Sequence, residues 1–140
     1  LGVAAMSLLE VVGSYAAICG EGKAIIPYGI NEIVLRNGQS FWKRTAPRRK
    51  KIISNQTQRK IKILLREVVA EGTANKLSSL PFKVIGKTGT TQNNRDAWFI
   101  GCAKGYIIGV WAGRDDDKSM INVFGSTLPL NIFRRIIKSI

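Results

Sequence analysis

The stretch Lys83-Val-Ile-Gly-Lys-Thr-Gly-Thr-Thr-Gln-Asn-Asn-Arg-Asp-Ala-Trp-Phe-Ile-Gly101 reads as strand, tight polar connection, strand. The first strand is expected over about 82–91 and the second over 96–103, with Gln92-Asn-Asn-Arg95 between them. A third strand, 106–113, follows the short Lys104-Gly105 turn. Sequential strands joined by short links pair antiparallel. Lys87-Thr88-Gly89 falls near the end of the first strand. A lysine, the Thr88 and Thr90 hydroxyls and a bare glycine backbone are suited to an anionic, peptide-like ligand.

Helical periodicity flanks this core of strands. Ser7-Leu-Leu-Glu10 is a capping-box pattern, and Leu8, Val12, Tyr15 and Cys19 follow at helical spacing up to Gly20 and Gly22. Gly13 inside that helix suggests close packing against another element. A second helix is expected over about 55–71, capped by Ser54 or Asn55, with Ile61, Leu64, Leu65 and Val68 as its buried face. Between them, Asn37-Gly38 separates 32–36 from 39–43 and predicts a hairpin with a two-residue turn. A last helix opens at Thr127 with Pro129 early, where a missing N–H is tolerated, and carries Ile132, Phe133, Ile136, Ile137 and Ile140 as an apolar stripe. The fold class is α/β of the α+β type, an antiparallel sheet flanked by helices.

The chain has 140 residues, enough for one domain or one large piece of a domain. Its net charge of +13 is local in origin. Residues 43–66 hold ten Lys or Arg and no acid, and the remainder holds twelve basic against nine acidic residues. A solvated loop and helix face is the default reading of such a patch. Anionic lipid or wall polymer is a second reading and nucleic acid a third, with only Phe41 and Trp42 as nearby aromatics. There is no histidine, so Ser-His-Asp and Cys-His catalysis cannot arise within these residues. Cys19 and Cys102 lie in apolar periodic segments and are read as small buried hydrophobes rather than a disulfide. Trp98 and Trp111 are read as core residues and Asp115-Asp116-Asp117 as a solvated turn. No metal site and no cofactor are expected. No uncharged apolar run reaches the roughly 18 residues of a membrane span.

Gly86-Lys87-Thr88 could end a phosphate-binding P-loop, but that motif needs a glycine where Pro81 stands and a helix where Ala97-Trp98-Phe99-Ile100 reads as strand. Lys-Thr-Gly is also one of three signatures of penicillin-binding proteins and serine β-lactamases. Here it extends to Gly86-Lys87-Thr88-Gly89-Thr90-Thr91-Gln92, then Asp96-Ala97-Trp98-Phe99-x-Gly101, then Val110-Trp111-x-Gly113-x-Asp115-Asp116. Upstream stand Leu1-Gly2, Leu9-Glu10, Tyr15-Ala16, Pro27 and Val68-Val69-x-x-Gly72-Thr73-Ala74; downstream stand Gly125 and Pro129. In this order the series resembles the C-terminal half of the transpeptidase domain of class A (bifunctional) penicillin-binding proteins, over essentially the whole chain except the basic insertion at about 43–60. The Asp-Ala-Trp-Phe run makes β-lactamases the poorer match.

The resemblance implies a partial β-lactamase/transpeptidase-like fold and a D,D-transpeptidase that cross-links peptidoglycan stem peptides through an acyl-serine and binds β-lactams. It implies that Thr88, Gly89, Thr90 and Thr91 bind the donor peptide, with Thr88 and Thr90 on its terminal carboxylate. Lys87 would add positive potential, and the Thr90 backbone N–H would be an oxyanion-hole donor. In the family the nucleophile lies in Ser-x-x-Lys and a further signature is Ser-x-Asn. On this reading the chain holds neither, and Thr57-x-x-Lys60 is a chance imitation on a surface-patterned helix. Residues 1–140 are then the C-terminal part of the domain, expected to be inactive alone and to need the missing N-terminal half as partner. The implied location is the periplasm or outer face of the cytoplasmic membrane, with membrane attachment only through an absent N-terminal anchor and no nucleic acid expected. The alternative is a free-standing basic module binding nucleic acid or anionic surfaces.

Overall fold

The computed structural model describes residues 5–140. In chain order these are helix α1 (Leu8–Cys19), strands β1 (Glu32–Val34) and β2 (Ser40–Lys43), and helix α2 (Asn55–Ala70). Strands β3 (Ile85–Thr90), β4 (Asp96–Ala103) and β5 (Tyr106–Gly113) and helix α3 (Leu128–Ser139) follow. Single 3₁₀ turns at Asn75–Leu77 and Gln92–Asn94 lead into β3 and β4. The main sheet has the order β3-β4-β5, antiparallel throughout, and β1-β2 forms a separate hairpin. Both hold the antiparallel pairing the sequence predicts.

Register explains how the sheet is clothed. Thr88 pairs with Phe99 and Gly86 with Gly101, so these residues share a face. On it a Cβ at Gly101 would come within 2.8 Å of the Phe133 ring, which shows how closely α3 lies on the strand. Phe99 and Phe133 meet edge to face at 4.8 Å. Leu130, Ile137, Leu77 and Ala74, all fully buried, complete the core there with Val69 of α2. Lys87 pairs with Ile100, and Ile100 with Gly109, on the other face. There α1 packs so tightly that a Cβ at Gly109 would come within 2.8 Å of Leu8. Helices thus cover both faces, α1 on one and α3 with α2 on the other, and the order β3-β4-β5 leaves β3 as an edge strand among the described residues.

The helix caps follow their chemistry with two departures. Ser7 and Glu10 form the capping box: the Ser7 hydroxyl accepts from Glu10 N–H (3.3 Å) and Glu10 Oε2 accepts from Ser7 N–H (2.7 Å). The Ser7 hydroxyl also donates to Glu10 Oε2 (2.7 Å), and this bond, with that from the Ser7 N–H, holds the Glu10 carboxyl below its usual range. Ser54 caps α2 through Thr57 N–H (3.1 Å). Thr127 does not cap α3 with its side chain. Its hydroxyl instead accepts from and donates to the backbone of Phe124, both at 2.9 Å, and so ties down the loop before the helix. The buried face of α2 is also rotated from the sequence expectation. Gln58, Leu65 and Val69 are buried while Leu64 is 67% exposed. A polar residue defines that face: Gln58 Nε2 donates toward Ala17 O, Ile18 O and Gly20 O, satisfying carbonyls at the end of α1. Apolar periodicity alone cannot find such a contact.

The two hairpin turns differ in length. At Lys104-Gly105 both residues have positive φ, 53° and 82°, the two-residue turn that matches strand twist. At Asn37-Gly38 only Gly38 is positive (φ 83°). Gly38 N–H donates to Leu35 O (2.9 Å) and Leu35 N–H to Gln39 O (2.8 Å), a three-residue loop in place of the expected two-residue one. The Asn37 side chain accepts from Gln39 N–H (3.0 Å), which removes any need for Asn37 itself to adopt positive φ.

The cysteine reading is corrected. Cys19 at the end of α1 and Cys102 on β4 form a disulfide with Cα atoms 6.4 Å apart, inside the bridgeable range. Inward-facing positions suit a bridge as well as they suit two free thiols, and the spacing of 83 residues gives no hint of the contact. Gly13 departs in the opposite sense. A Cβ there meets only Pro27 Cγ, at 3.9 Å, so no close packing requires the glycine. Gly13→Ala is therefore expected to stabilise the chain by about 0.5–1 kcal/mol, read as a higher midpoint in urea unfolding. A lower midpoint would mean that α1 packs more tightly than this.

Candidate functional site

The site assembles along β3. Lys87 is exposed at mid-strand, and its Nζ donates to Thr88 O at 2.8 Å. Gly89 lies against Trp98, where a Cβ would stand 3.3 Å from the Trp98 Cβ. Just past the strand, Thr91 N–H donates to Asp96 O (3.0 Å). In an antiparallel ladder alternate residues aim their N–H groups at the partner strand. The Thr90 and Thr88 N–H groups are therefore aimed at the open edge of β3. An edge strand with free N–H groups is a template for an added peptide strand.

Two hydroxyls on this edge are held from distant parts of the chain. Thr88 Oγ1 lies 2.6 Å from Thr73 Oγ1, in the turn that follows α2. Thr90 Oγ1 accepts from Gly125 N–H at 3.1 Å, in the loop before α3. A hydroxyl has one proton and two lone pairs. Thr90, accepting from Gly125, keeps its proton to donate elsewhere, and whichever member of the Thr73–Thr88 pair accepts does the same. Two oriented donors beside a lysine make a seat for a carboxylate. Gly125 must be glycine-sized here, because a Cβ would collide with Trp98 O and stand 2.5 Å from Gly89 O. Thr73 and Gly125 are the contributors that site reasoning from the sequence missed. Both stand within the quoted motif series, but nothing local shows that they reach β3.

The remaining candidates separate. Thr91 gives its hydroxyl to the turn, donating to Asp96 Oδ2 (3.1 Å) and accepting from Asp96 N–H (3.0 Å). Asp96 Oδ1 accepts from Trp111 Nε1 (2.8 Å). That bond places Trp111 at the surface, 42% exposed, and corrects its reading as a core residue; Trp98 is half-buried beside it. In the acidic turn Asp116 binds Arg114 and Lys118, and Asp117 binds Arg95. The Arg114 guanidinium holds the Asp116 carboxyl well below the usual carboxylate range. These carboxylates are committed to cations, and no metal-ligating cluster occurs among the described residues.

The chain does contain one Ser-x-x-Lys spacing, against the expectation of none. Ser40-Phe41-Trp42-Lys43 does have Ser-x-x-Lys spacing. It forms β2, exposed along its length in the separate hairpin. Residues i and i+3 share a face on a helix but point to opposite faces of a strand, so Lys43 cannot serve Ser40 as a base. Thr57, the other imitation, is bound within the N-terminal cap of α2 by Ser54. Ser-x-Asn spacing does not occur in the chain.

Comparison with known proteins gives the family and the fold. Residues 1–138 match the family described as the penicillin binding protein transpeptidase domain. The chain is 34% identical over 134 residues to penicillin-binding protein 1A of Aquifex aeolicus, covering 95% of this chain and 18% of that protein. It is 30% identical over 141 residues to penicillin-binding protein 1B of Buchnera aphidicola subsp. Baizongia pistaciae, covering 99% and 19%. It thus spans under a fifth of the length of these relatives. Among solved structures, penicillin-binding protein 1A from Haemophilus influenzae superposes with a TM-score of 0.86 at 20% identity, over 99% of this chain and 27% of that one. Penicillin-binding protein A from M. tuberculosis, solved as an imipenem acyl-enzyme complex, superposes at 0.77 with 21% identity, over 99% and 32%. The sandwich of helices on an antiparallel sheet is therefore the β-lactamase-like fold of those domains. By its sequence over residues 1–138, this chain belongs to the penicillin-binding protein transpeptidase family.

Proposed function

We propose that the chain supplies the Lys-Thr-Gly wall of a peptidoglycan D,D-transpeptidase, the part that seats the donor stem peptide and, in its place, a β-lactam. The observation that carries this reading is the open edge of β3, where the Thr88 and Thr90 hydroxyls stand beside Lys87. The donor peptide lies along β3 as an added strand, with Gly89 allowing its backbone to approach closely. Thr88 and Thr90 donate to its terminal carboxylate, and Lys87 adds positive potential. The Thr90 N–H serves the oxyanion that forms when a serine attacks the penultimate D-Ala carbonyl. The terminal D-Ala leaves, and an amine from a second stem peptide then displaces the serine.

That serine comes from polypeptide outside these residues, since neither Ser40 nor Thr57 is set up as a nucleophile. Loss of one member of a catalytic unit removes most of its rate. A fluorescent penicillin is accordingly expected to leave this chain unlabelled; a covalent adduct on it would overturn the division of labour. The work is done outside the cytoplasm, in the periplasm or at the outer face of the cytoplasmic membrane, where a Cys19–Cys102 bridge persists. No cofactor takes part. The ten cations of residues 43–66 favour a second reading as a basic binding module. Steeply salt-dependent binding of DNA or RNA at physiological salt would select it.

A further inference from the structure

The start of β3, opposite its Thr88–Thr90 end, borders an open cavity of about 370 Å³. Its walls come from three places: Gly20 at the end of α1, Lys62 and Arg66 on α2, and Lys83 and Lys104 at the near ends of β3 and the β4–β5 turn. The Cys19–Cys102 disulfide lines it and ties the α1 wall to β4. Four of the twelve lining residues are cations and none is an acid.

Among the described residues none of these four cations has an ionic partner. Among the described residues the ion pairs are Lys23–Glu21, Arg95–Asp117, Arg114–Asp116 and Lys118–Asp116, all elsewhere. Lys62 Nζ reaches only Gly20 O, at 3.3 Å, and Lys104 Nζ lies 4.7 Å over the Phe82 ring. Gly20 O also accepts from Gln58 Nε2 at 2.6 Å, so the carbonyl most able to repel an anion is already covered. Like charges gathered in a concavity repel one another and focus a positive potential into it. A single carboxylate would neutralise one of the four. A doubly charged oxyanion with three or four acceptor atoms suits a forked guanidinium and several ammonium-bearing side chains that line one cavity from separate elements.

We propose that this cavity binds a phosphate-class oxyanion, held by Lys62, Arg66, Lys83 and Lys104. The site gives the basic surface of residues 43–66 a defined focus. It does not depend on the reading of the Lys-Thr-Gly edge.

The test is calorimetric titration of the intact, oxidised chain with inorganic pyrophosphate at physiological salt. One saturable site per chain is expected. Arg66→Glu with Lys83→Glu, both exposed positions, is expected to weaken it by about tenfold or more, since local charge outweighs distant charge in a focused site. Arg48→Glu with Arg49→Glu makes the same change in net charge on the neighbouring loop and is expected to leave affinity within about twofold. Absence of a saturable site overturns the proposal, and so does equal weakening by the two pairs, which would mean diffuse attraction. Sedimentation with phosphatidylglycerol vesicles, against phosphatidylcholine alone, assigns the source. Pelleting that is lost in the Arg66/Lys83 pair assigns the site to a lipid headgroup. Pyrophosphate binding without pelleting assigns it to a soluble phosphate. A single-stranded oligonucleotide that displaces pyrophosphate, and whose binding is lost with Arg48 and Arg49 instead, would make the surface a nucleic-acid face and sink the proposal.

Discussion

Reduction of the Cys19–Cys102 bridge is expected to lower the stability of this chain by about 4–5 kcal/mol, which is about 10–20 °C in melting midpoint for a chain of this size. The bridge closes a loop of 83 residues that contains β1, β2, α2 and β3. Cutting it returns that loop's freedom to the unfolded chain and leaves α1 held by packing on Gly109 and by the Gln58 amide. Thermal unfolding with and without reductant, beside the Cys19→Ser/Cys102→Ser double variant, measures it. Reductant that shifts the wild type by that amount and leaves the double variant unmoved is the expected pattern. Equal midpoints for the oxidised and reduced wild type would mean that the bridge constrains nothing the packing does not.

Phe133→Ala is expected to cost about 3–5 kcal/mol, a large share of the 5–15 kcal/mol that holds an ordinary domain together. Phe133 is fully buried and stands edge-on to Phe99 across α3 and β4. Gly101 leaves the ring its space, so truncating the ring opens a cavity between α3 and β4. Ile136 on the same helix is 38% exposed and serves as the control, with a loss of about 1 kcal/mol or less for Ile136→Ala. Urea unfolding of both variants reads the difference. A Phe133→Ala loss no larger than the control's would place the core elsewhere.

What the sequence reveals, and what it hides, divides along the distance between contacting residues. Capping by Ser7 and Ser54, the Lys104-Gly105 turn and the antiparallel order of 85–113 are local, and each follows from the chemistry of a few adjacent residues. The α2 face could not be read, because Gln58 is buried by carbonyls about 40 positions away that only the fold brings near. The Cys19–Cys102 bridge shares that cause, whereas Thr127 turns to Phe124 only three residues back, a local alternative to capping. At the site, the edge position of Lys87-Thr88-Gly89 follows from strand order. The hands that hold its hydroxyls, Thr73 and Gly125, arrive from 15 and 35 residues away. Ser40-x-x-Lys43 shows the reverse hazard, a spacing that matches while its strand geometry does not.

The most direct measurement replaces the matching region of Aquifex aeolicus penicillin-binding protein 1A, the 34%-identical relative, with this chain. The rate of covalent labelling by fluorescent penicillin is then followed. The chimera is expected to be labelled, because the relative's remaining part brings the nucleophile and this chain brings the β3 edge. Thr88→Val with Thr90→Val is expected to slow labelling by about 10²–10³-fold, the scale of losing two hydrogen bonds to a charged group. A folded chimera that takes no label, or a doubly substituted one labelled as fast as its parent, would contradict the assignment of the β3 edge as the wall that seats the acyl donor.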